Sequence, residues 1–333
     1  MDAPTITRSE LEQQLEGRRG ELRGYCYRML ASPFEAEDAV QETFIRAWRS
    51  FDGFEGRAAF RSWLYKIATN VCLDMLRSGD RRARPMDLGP AREPVSENLN
   101  ARPEATWLEP APGSYLMTAT SDPAEAAVTG ESVRLAFVAA LQHLPPRQRA
   151  VLILCEVLQW KASEAADLLA TTAASVNSAL QRARAGLAAA GAATDAAASL
   201  TAADQDLVGR YVRAFQNYDM DALTALIHED ATQSMPPFDL WLAGRDDVFA
   251  WWLGPGTCCQ GSRLIPAPEA NGCPAFGQYR PAAGGGYEPF ALQVTQWRDG
   301  RIGEFTFFLS TERIFPLFGL PPRLDASGHP VVA

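Results

Sequence analysis

EAEDAVQETFIRAW, residues 35–48, and FRSWLYKIATNVCLDMLR, residues 60–77, carry more information than any other part of this chain. In the first segment Ala39, Val40, Phe44 and Ala47 recur at helical spacing, leaving Glu37, Asp38, Gln41, Glu42 and Arg46 on the opposite face. In the second, Phe60, Trp63, Leu64, Ile67, Val71, Leu73 and Leu76 predict another helix, whose end runs into arginines that suit the negative pole of its dipole. Here aromatics alternate with cations: Phe60, Trp63 and Tyr65 lie among Arg61, Lys66 and Arg77. Rings stack on unpaired bases and cations hold phosphates, which is what binding of single-stranded DNA requires. The same letters also fit a packed helix with Trp63 as a core anchor.

Toward the N-terminus, Leu11, Leu15, Leu22, Cys26, Met29 and Leu30 extend the helical pattern, and Ser32-Pro33 marks a break before the next helix. Between Arg57 and Arg84 the cations Arg57, Arg61, Lys66, Arg77, Arg81, Arg82 and Arg84 face only Asp74 and Asp80, a net of +5. A local basic surface is expected there although the whole chain carries −9. Residues 85–130 contain seven prolines and no sustained apolar period, so they read as an extended, acidic linker without packed elements.

Beyond the linker, LPPRQRAVLILCEVLQWKASEAADLLATTAASVNSALQRARAGL, residues 144–187, reads as a helix-turn-helix. Ser163 is the expected N-cap of the short helix and Thr171-Thr172 form the turn. In the longer helix Val176, Leu180, Ala183 and Leu187 point inward. That leaves Ser175, Asn177, Ser178, Gln181, Arg182 and Arg184 outside, a set of donors and acceptors able to read base edges in a major groove.

An Ala-rich stretch, residues 188–203, separates this helical half from a tail of different grammar. There, amphipathic segments around Leu207, Tyr211 and Phe215 precede strand-like runs 290–297 and 302–309, joined at Asp299-Gly300, a strong hairpin signal. An α+β domain follows. The tail holds fifteen acids against nine arginines, so much of the negative charge is segregated from the basic block.

With 333 residues and 47% apolar content the chain can form two or three cores. No run approaches the roughly 20 apolar residues of a spanning helix, and residues 1–20 are polar, so a cytoplasmic protein with no membrane partner is expected. Of Cys26, Cys72, Cys155, Cys258, Cys259 and Cys273, three sit in apolar helical patterns as small hydrophobes and the three later ones have neither CxxC spacing nor neighbouring histidines, so all read as reduced thiols; no motif calls for a metal or a cofactor.

Taken in order, EAEDAVQETFIRAW with FRSWLYKIATNVCLDMLR resembles regions 2.1 to 2.4 of the extracytoplasmic-function (ECF) sigma factors of the sigma-70 family, and residues 144–187 resemble their region 4. The tail, including VGRYVRAFQNYDMDALTALIHEDATQSMPP and FALQVTQWRDGRIGEFTFFLSTERIFPLFGLP, resembles the SnoaL-like branch of the NTF2 superfamily, as in the sigma-G type. The resemblance implies a multidomain chain. Two all-α sigma domains are expected, a region 2 helical bundle at residues 10–84 and a region 4 helix-turn-helix at 131–190, joined by the linker 85–130. An NTF2-like cone with a curved antiparallel sheet is expected at 200–322.

It also implies partners and roles. RNA polymerase core would be bound through the β′ clamp helices by Asp38, Gln41, Glu42 and Arg46, and through the β flap by region 4. The minus-ten element of promoter DNA would be opened by the block from Phe54 to Arg77, with Phe60, Arg61, Trp63, Lys66, Asn70 and Arg77 at the DNA. The minus-thirty-five element would be read by Ser175, Asn177, Ser178, Gln181, Arg182 and Arg184, while the linker threads toward the RNA path.

In the tail, His228, Asp230, Trp241, Trp252 and Tyr279, together with Trp251, are candidates to line a pocket for a small-molecule ligand. No catalytic residue is assigned. The DGGGK motif of a related sigma group is replaced here by Ala283-Gly284-Gly285-Gly286-Tyr287, glycines that suit a hairpin turn. Three alternatives stay open at this point: a helix-turn-helix repressor, a scaffold that sequesters polymerase, and a fusion whose tail is an enzyme using His228 or Asp230 as acid or base.

Overall fold

The computed structural model describes residues 7–51, 60–78, 82–116, 134–189 and 202–331. The chain divides into two compact units: Met1–Arg82 with Gly113–Thr194, and Ala83–Pro112 with Asp195–Ala333.

The first unit is helical. Thr7 and Glu10 form a reciprocal capping box that starts α1 (Arg8–Glu16). Helix α2 (Arg19–Leu30) stops where Ala31 turns left-handed, at φ 59°, and Ser32 then accepts the Glu35 N–H to begin α3 (Pro33–Ser50), with Pro33 in the first turn. The Ser32-Pro33 break is thus the end of one helix and the cap of the next. Helix α4 (Phe60–Ser78) lies against α2 and α3 around Leu22, Tyr25, Val40, Leu64 and Tyr65, all fully buried. The Tyr25 and Tyr65 rings meet edge to face at 5.2 Å, and the Tyr25 and Thr69 hydroxyls share a hydrogen bond of 2.7 Å.

Helices Leu135–Gln142, Pro146–Leu152, Ala162–Leu168 and Ala173–Ala189 follow. They pack on α2 and α4 instead of forming a separate body. Arg149, 3% exposed, donates to the Met29 carbonyl at the end of α2 and to Gln142 Oε1 at 2.5 Å. Trp160 lies 5.1 Å from Tyr65, with the Arg61 guanidinium over both rings.

The helix expected to be capped by Ser163 starts two residues earlier. Lys161 is its N-cap, and the Glu164 carboxylate accepts the Lys161 N–H at 2.8 Å. Ser163, already inside the first turn, is exposed.

In the second unit, helices Ala202–Asn217 and Met220–Leu226 lead into a sheet of six strands: β1 (Ile227–Ser234), β2 (Trp241–Ala243), β3 (Arg263–Ala270), β4 (Cys273–Pro281), β5 (Tyr287–Arg298) and β6 (Arg301–Phe308). Their order is β2-β1-β6-β5-β4-β3. The sheet is mixed, not antiparallel throughout as expected: β1 runs parallel to β6. These two strands are separated by most of the domain, and only such a long crossover permits a parallel pair. Bulges at Gln278/Tyr279 and Gln296/Trp297 bend the sheet. Asp299 and Gly300, at φ 51° and 71°, close the β5–β6 hairpin, as the Asp-Gly pair predicts. Gly286 is required where it stands: at φ 71°, a Cβ there would lie 2.4 Å from the Leu324 carbonyl, whose neighbouring chain bridges to Tyr287.

Of the segment expected to be an unpacked linker, residues 85–112 form a strap on this domain; Gly113–Leu116 is a short helix of the first unit, and residues 117–130 lie outside the described residues. Short 3-10 turns at Pro85–Asp87, Ser96–Asn98 and Glu104–Thr106 alternate with extended backbone. Arg92 and Arg102 converge on the buried Asp239 carboxylate, at 3.3 and 3.0 Å. The backbone hydrogen bonds of Arg92 to Trp241, Asp239 to Asn100 and Arg102 to Pro237 stitch the same stretch down. Further on, Asn271 and Ala111 bond reciprocally, at 2.9 Å each way. The six prolines of residues 85–112 leave only short 3-10 turns there but do not prevent docking, because side chains and isolated backbone groups supply the partners.

Candidate nucleic-acid interface and ligand cavity

On α3, Asp38 and Gln41 are exposed, whereas Glu42 and Arg46 are half-buried and joined to each other at 2.7 Å. Arg46 also reaches Asp74 of α4 at 3.1 Å, so it ties two helices together as well as facing outward. Ile45 sits on the same face, 45% exposed. It stands beside Asp38 and Gln41, with Phe44 and Trp48 of the same helix only partly buried. The sequence reading passes over it because periodicity assigns apolar residues to the core.

On α4, Lys66, Asn70 and Arg77 are exposed along one face. Phe60 and Trp63 are half-buried, their rings 5.6 Å apart. The basic block is smaller than its letters suggest. Arg61 donates to Glu21 at 2.7 Å, Arg82 is buried against Glu35 at 2.7 Å, and Arg84 pairs with Asp87 at 3.3 Å. Arg77 keeps contact with Asp74 at 3.1 Å but is 76% exposed. The loop before Phe60, together with Arg57, Asp80 and Arg81, lies outside the described residues.

The Ala173–Ala189 helix begins after Thr172, whose hydroxyl accepts the Ser175 N–H at 3.1 Å. Val176 and Ala183 are buried and Leu180 and Leu187 partly so. Ser175, Asn177, Ser178, Gln181, Arg182 and Arg184 are all exposed, which places the six expected residues on the open side of one helix. Arg184 is held back by Glu156, with Nε at 3.0 Å.

The C-terminal domain contains a cavity of about 220 Å³. Phe215 and Trp252 wall it from the helices, Gln233, Gln278 and Phe307 from the sheet, and Leu99 from the strap. Of the residues expected around a pocket, Trp251 and Trp252 line this cavity. His228, Asp230, Trp241 and Tyr279 lie elsewhere. His228 stands at the start of β1, its Nδ1 within 3.2 Å of the Asp230 N–H and 3.3 Å of Arg298, and Asp230 is exposed. Trp241 donates its indole N–H to the Gly89 carbonyl of the strap at 2.8 Å. Tyr279 is one residue past Gln278, so the strand alternation turns it away from the cavity, against Phe315 and the Pro321 carbonyl. The residues missed, Gln233 and Gln278, are polar letters within strands, where a sequence offers no sign that they face inward.

Among the described residues no helix is long and apolar enough to cross a membrane. Comparison with known proteins gives three family matches: Sigma-70 region 2 over residues 16–82, Sigma-70 region 4 over 134–187, and a SnoaL-like domain over 208–305. The ECF RNA polymerase sigma factor SigG of Mycobacterium tuberculosis H37Rv is 44% identical over 328 residues, covering 95% of this chain and 85% of its own. SigJ of the same organism is 31% identical over 224 residues, 66% of this chain and 62% of its own. The crystal structure of M. tuberculosis SigJ superposes with a TM-score of 0.58 at 22% identity, covering 93% of this chain and all of that one, a likeness of fold. Two sigma regions in order, a SnoaL-like domain behind them and a relative 44% identical over 95% of this chain leave one assignment: the chain belongs to the ECF sigma factors of RNA polymerase.

Proposed function

We propose that this chain brings RNA polymerase core to promoters, with α3 as the clamp-binding helix, α4 as the minus-ten face and the Ala173–Ala189 helix as the minus-thirty-five reader. The observation that carries the reading is that two helical faces with the right chemistry, Lys66, Asn70 and Arg77 on one and Ser175 to Arg182 on the other, stand open to solvent. Asp38, Gln41 and Ile45 give the clamp-binding face a polar rim around an apolar anchor. Melting costs about 1.4 kcal/mol of stacking per base step, offset by bases captured near Trp63 and by the polymerase interface.

Both faces cannot work in the packed arrangement. The two promoter elements are about 25 base pairs apart, roughly 85 Å of duplex. A compact body of roughly 160 residues has a radius of gyration of only about 15 Å. Region 4 therefore parts from region 2 on the polymerase, breaking the contacts of Arg149 with Met29 and of Trp160 with Tyr65.

The C-terminal domain regulates this transition by holding the linker: the stretch that would thread through the polymerase is pinned by Arg92 and Arg102 on Asp239. Binding rather than turnover suits the cavity, since the residues lining it include no carboxylate and no imidazole, the usual acids and bases. Run-off transcription with reconstituted core polymerase tests the proposal. The full chain is expected to select start sites and truncation near residue 200 to alter the yield; equal yields from both would remove the regulatory role.

A further inference from the structure

Gln233 on β1 is 1% exposed and lines the cavity. The orientation of its amide is fixed by chemistry: the Trp252 indole N–H can only donate, and it points at Gln233 Oε1 from 2.7 Å. The amide NH2 must then face the other way, where it meets the thioether sulfur of Met235 at 3.6 Å. A thioether is a weak acceptor, and a buried amide donor served only by one is costly to leave so. Gln278 differs. Its oxygen accepts from Gln293 at 2.9 Å and its nitrogen donates to Ser262 at 3.1 Å, so it has little left to offer.

The rest of the wall is apolar. Seven of the seventeen lining residues are aromatic and none carries a formal charge. Burial pushes the Cys259 thiol up to about 12, with Cys258 beside it adding to the effect, and pushes the Tyr218 phenol up to about 12 as well. Both stay neutral at physiological pH. A charged ligand would enter without a counter-charge, at a large desolvation cost. A cavity of about 150 Å³ holds one benzene; the 220 Å³ here leaves space for about one more ring.

We infer that the cavity binds a neutral molecule of one or two rings, bearing a carbonyl-type oxygen that accepts from the Gln233 amide. Because Ser96 and Leu99 of the strap form part of the wall, such a ligand contacts the linker directly and favours its docked state. This last consequence rests on the regulatory reading given above.

The test uses the full chain and 1-tetralone, a two-ring ketone, followed by quenching of tryptophan fluorescence, with tetralin and the 1-naphthoate anion as comparisons. Tetralone is expected to bind saturably and at least tenfold more tightly than either. The Gln233→Leu variant should lose at least tenfold in tetralone affinity while tetralin binding stays the same. Should that variant fail to fold, Leu99→Trp fills the cavity from the strap and is expected to abolish tetralone binding with the helical content intact. No saturable binding of tetralone, naphthoate binding as tightly, or unchanged affinity in both variants would overturn the inference. Tetralone bound in this way but without effect on run-off transcription would leave the cavity assignment standing and remove the regulatory reading. No binding, with transcription still altered by truncation, would do the reverse.

Discussion

Helix α4 and the Ala173–Ala189 helix, the two proposed DNA faces, spend their cations differently. Of the five described cations between Arg57 and Arg84, three are drawn onto carboxylates, Arg61 by Glu21, Arg82 by Glu35 and Arg84 by Asp87, while Lys66 and Arg77 stay exposed. On the region 4 helix Gln181 and Arg182 stand in the open, and of the six face residues Arg184 is the one drawn back, by Glu156. A basic run in a sequence is therefore not a basic surface. Arginines serve as internal struts where carboxylates or buried carbonyl oxygens take up their donors, as at Arg82 and Arg149, and stay available to a partner where they remain exposed, as at Arg182.

The sharpest way to break this contrast is to remove a strut. Arg149→Ala leaves the Met29 carbonyl and the Gln142 amide oxygen without their buried donor and, at about 1–3 kcal/mol for each acceptor left unpaired, should cost about 3 kcal/mol. Urea unfolding followed by circular dichroism reads that loss, and a cost under about 1 kcal/mol would show that Arg149 is not a strut.

A change in the open face should do the opposite, leaving stability alone and changing recognition. Arg182→Ala and Gln181→Ala are each expected to cost about 1–3 kcal/mol at a matching minus-thirty-five element, seen as lower run-off yield with unaltered core binding. A loss that is uniform across all sequences would reduce them to phosphate contacts.

Next comes the strap. Asp239→Asn removes the charge on which Arg92 and Arg102 converge. Since both arginines are a third to a half exposed, solvent screens the pairs and the expected cost is about 1 kcal/mol. Limited proteolysis should show faster cleavage between residues 92 and 102, and no change would mean that the backbone bonds alone hold the strap.

The smallest effect separates free from spent cations on α4 itself. Lys66→Ala should lower the salt dependence of promoter binding by about one phosphate contact, whereas Arg61→Ala should scarcely move it. Equal slopes for the two would erase the distinction.

Much of this was legible in the letters. Helical spacing locates α3 and α4, Ser32-Pro33 marks the break between α2 and α3, and Asp299-Gly300 marks the last hairpin, because each depends on local chemistry. The face from Ser175 to Arg184 could be read because helix period alone decides which side is covered. What could not be read depends on partners distant in sequence. Arg82 looks like any other arginine until Glu35 is placed beside it, and residues 85–112 look unstructured until Asp239 and Trp241 supply their hydrogen bonds. The cavity illustrates the same limit. His228 and Asp230 drew attention by their chemistry, but the strands turn Gln233 and Gln278 inward instead.

The claim on which the account depends is that region 4 leaves region 2 when the promoter is engaged. Energy transfer between dyes at Glu16 of α1 and Asp167 of the Ala162–Leu168 helix measures it directly. High transfer is predicted for the free chain, with a steep fall once core polymerase and promoter DNA are both present. Transfer that stays high while correctly started transcripts accumulate would contradict it.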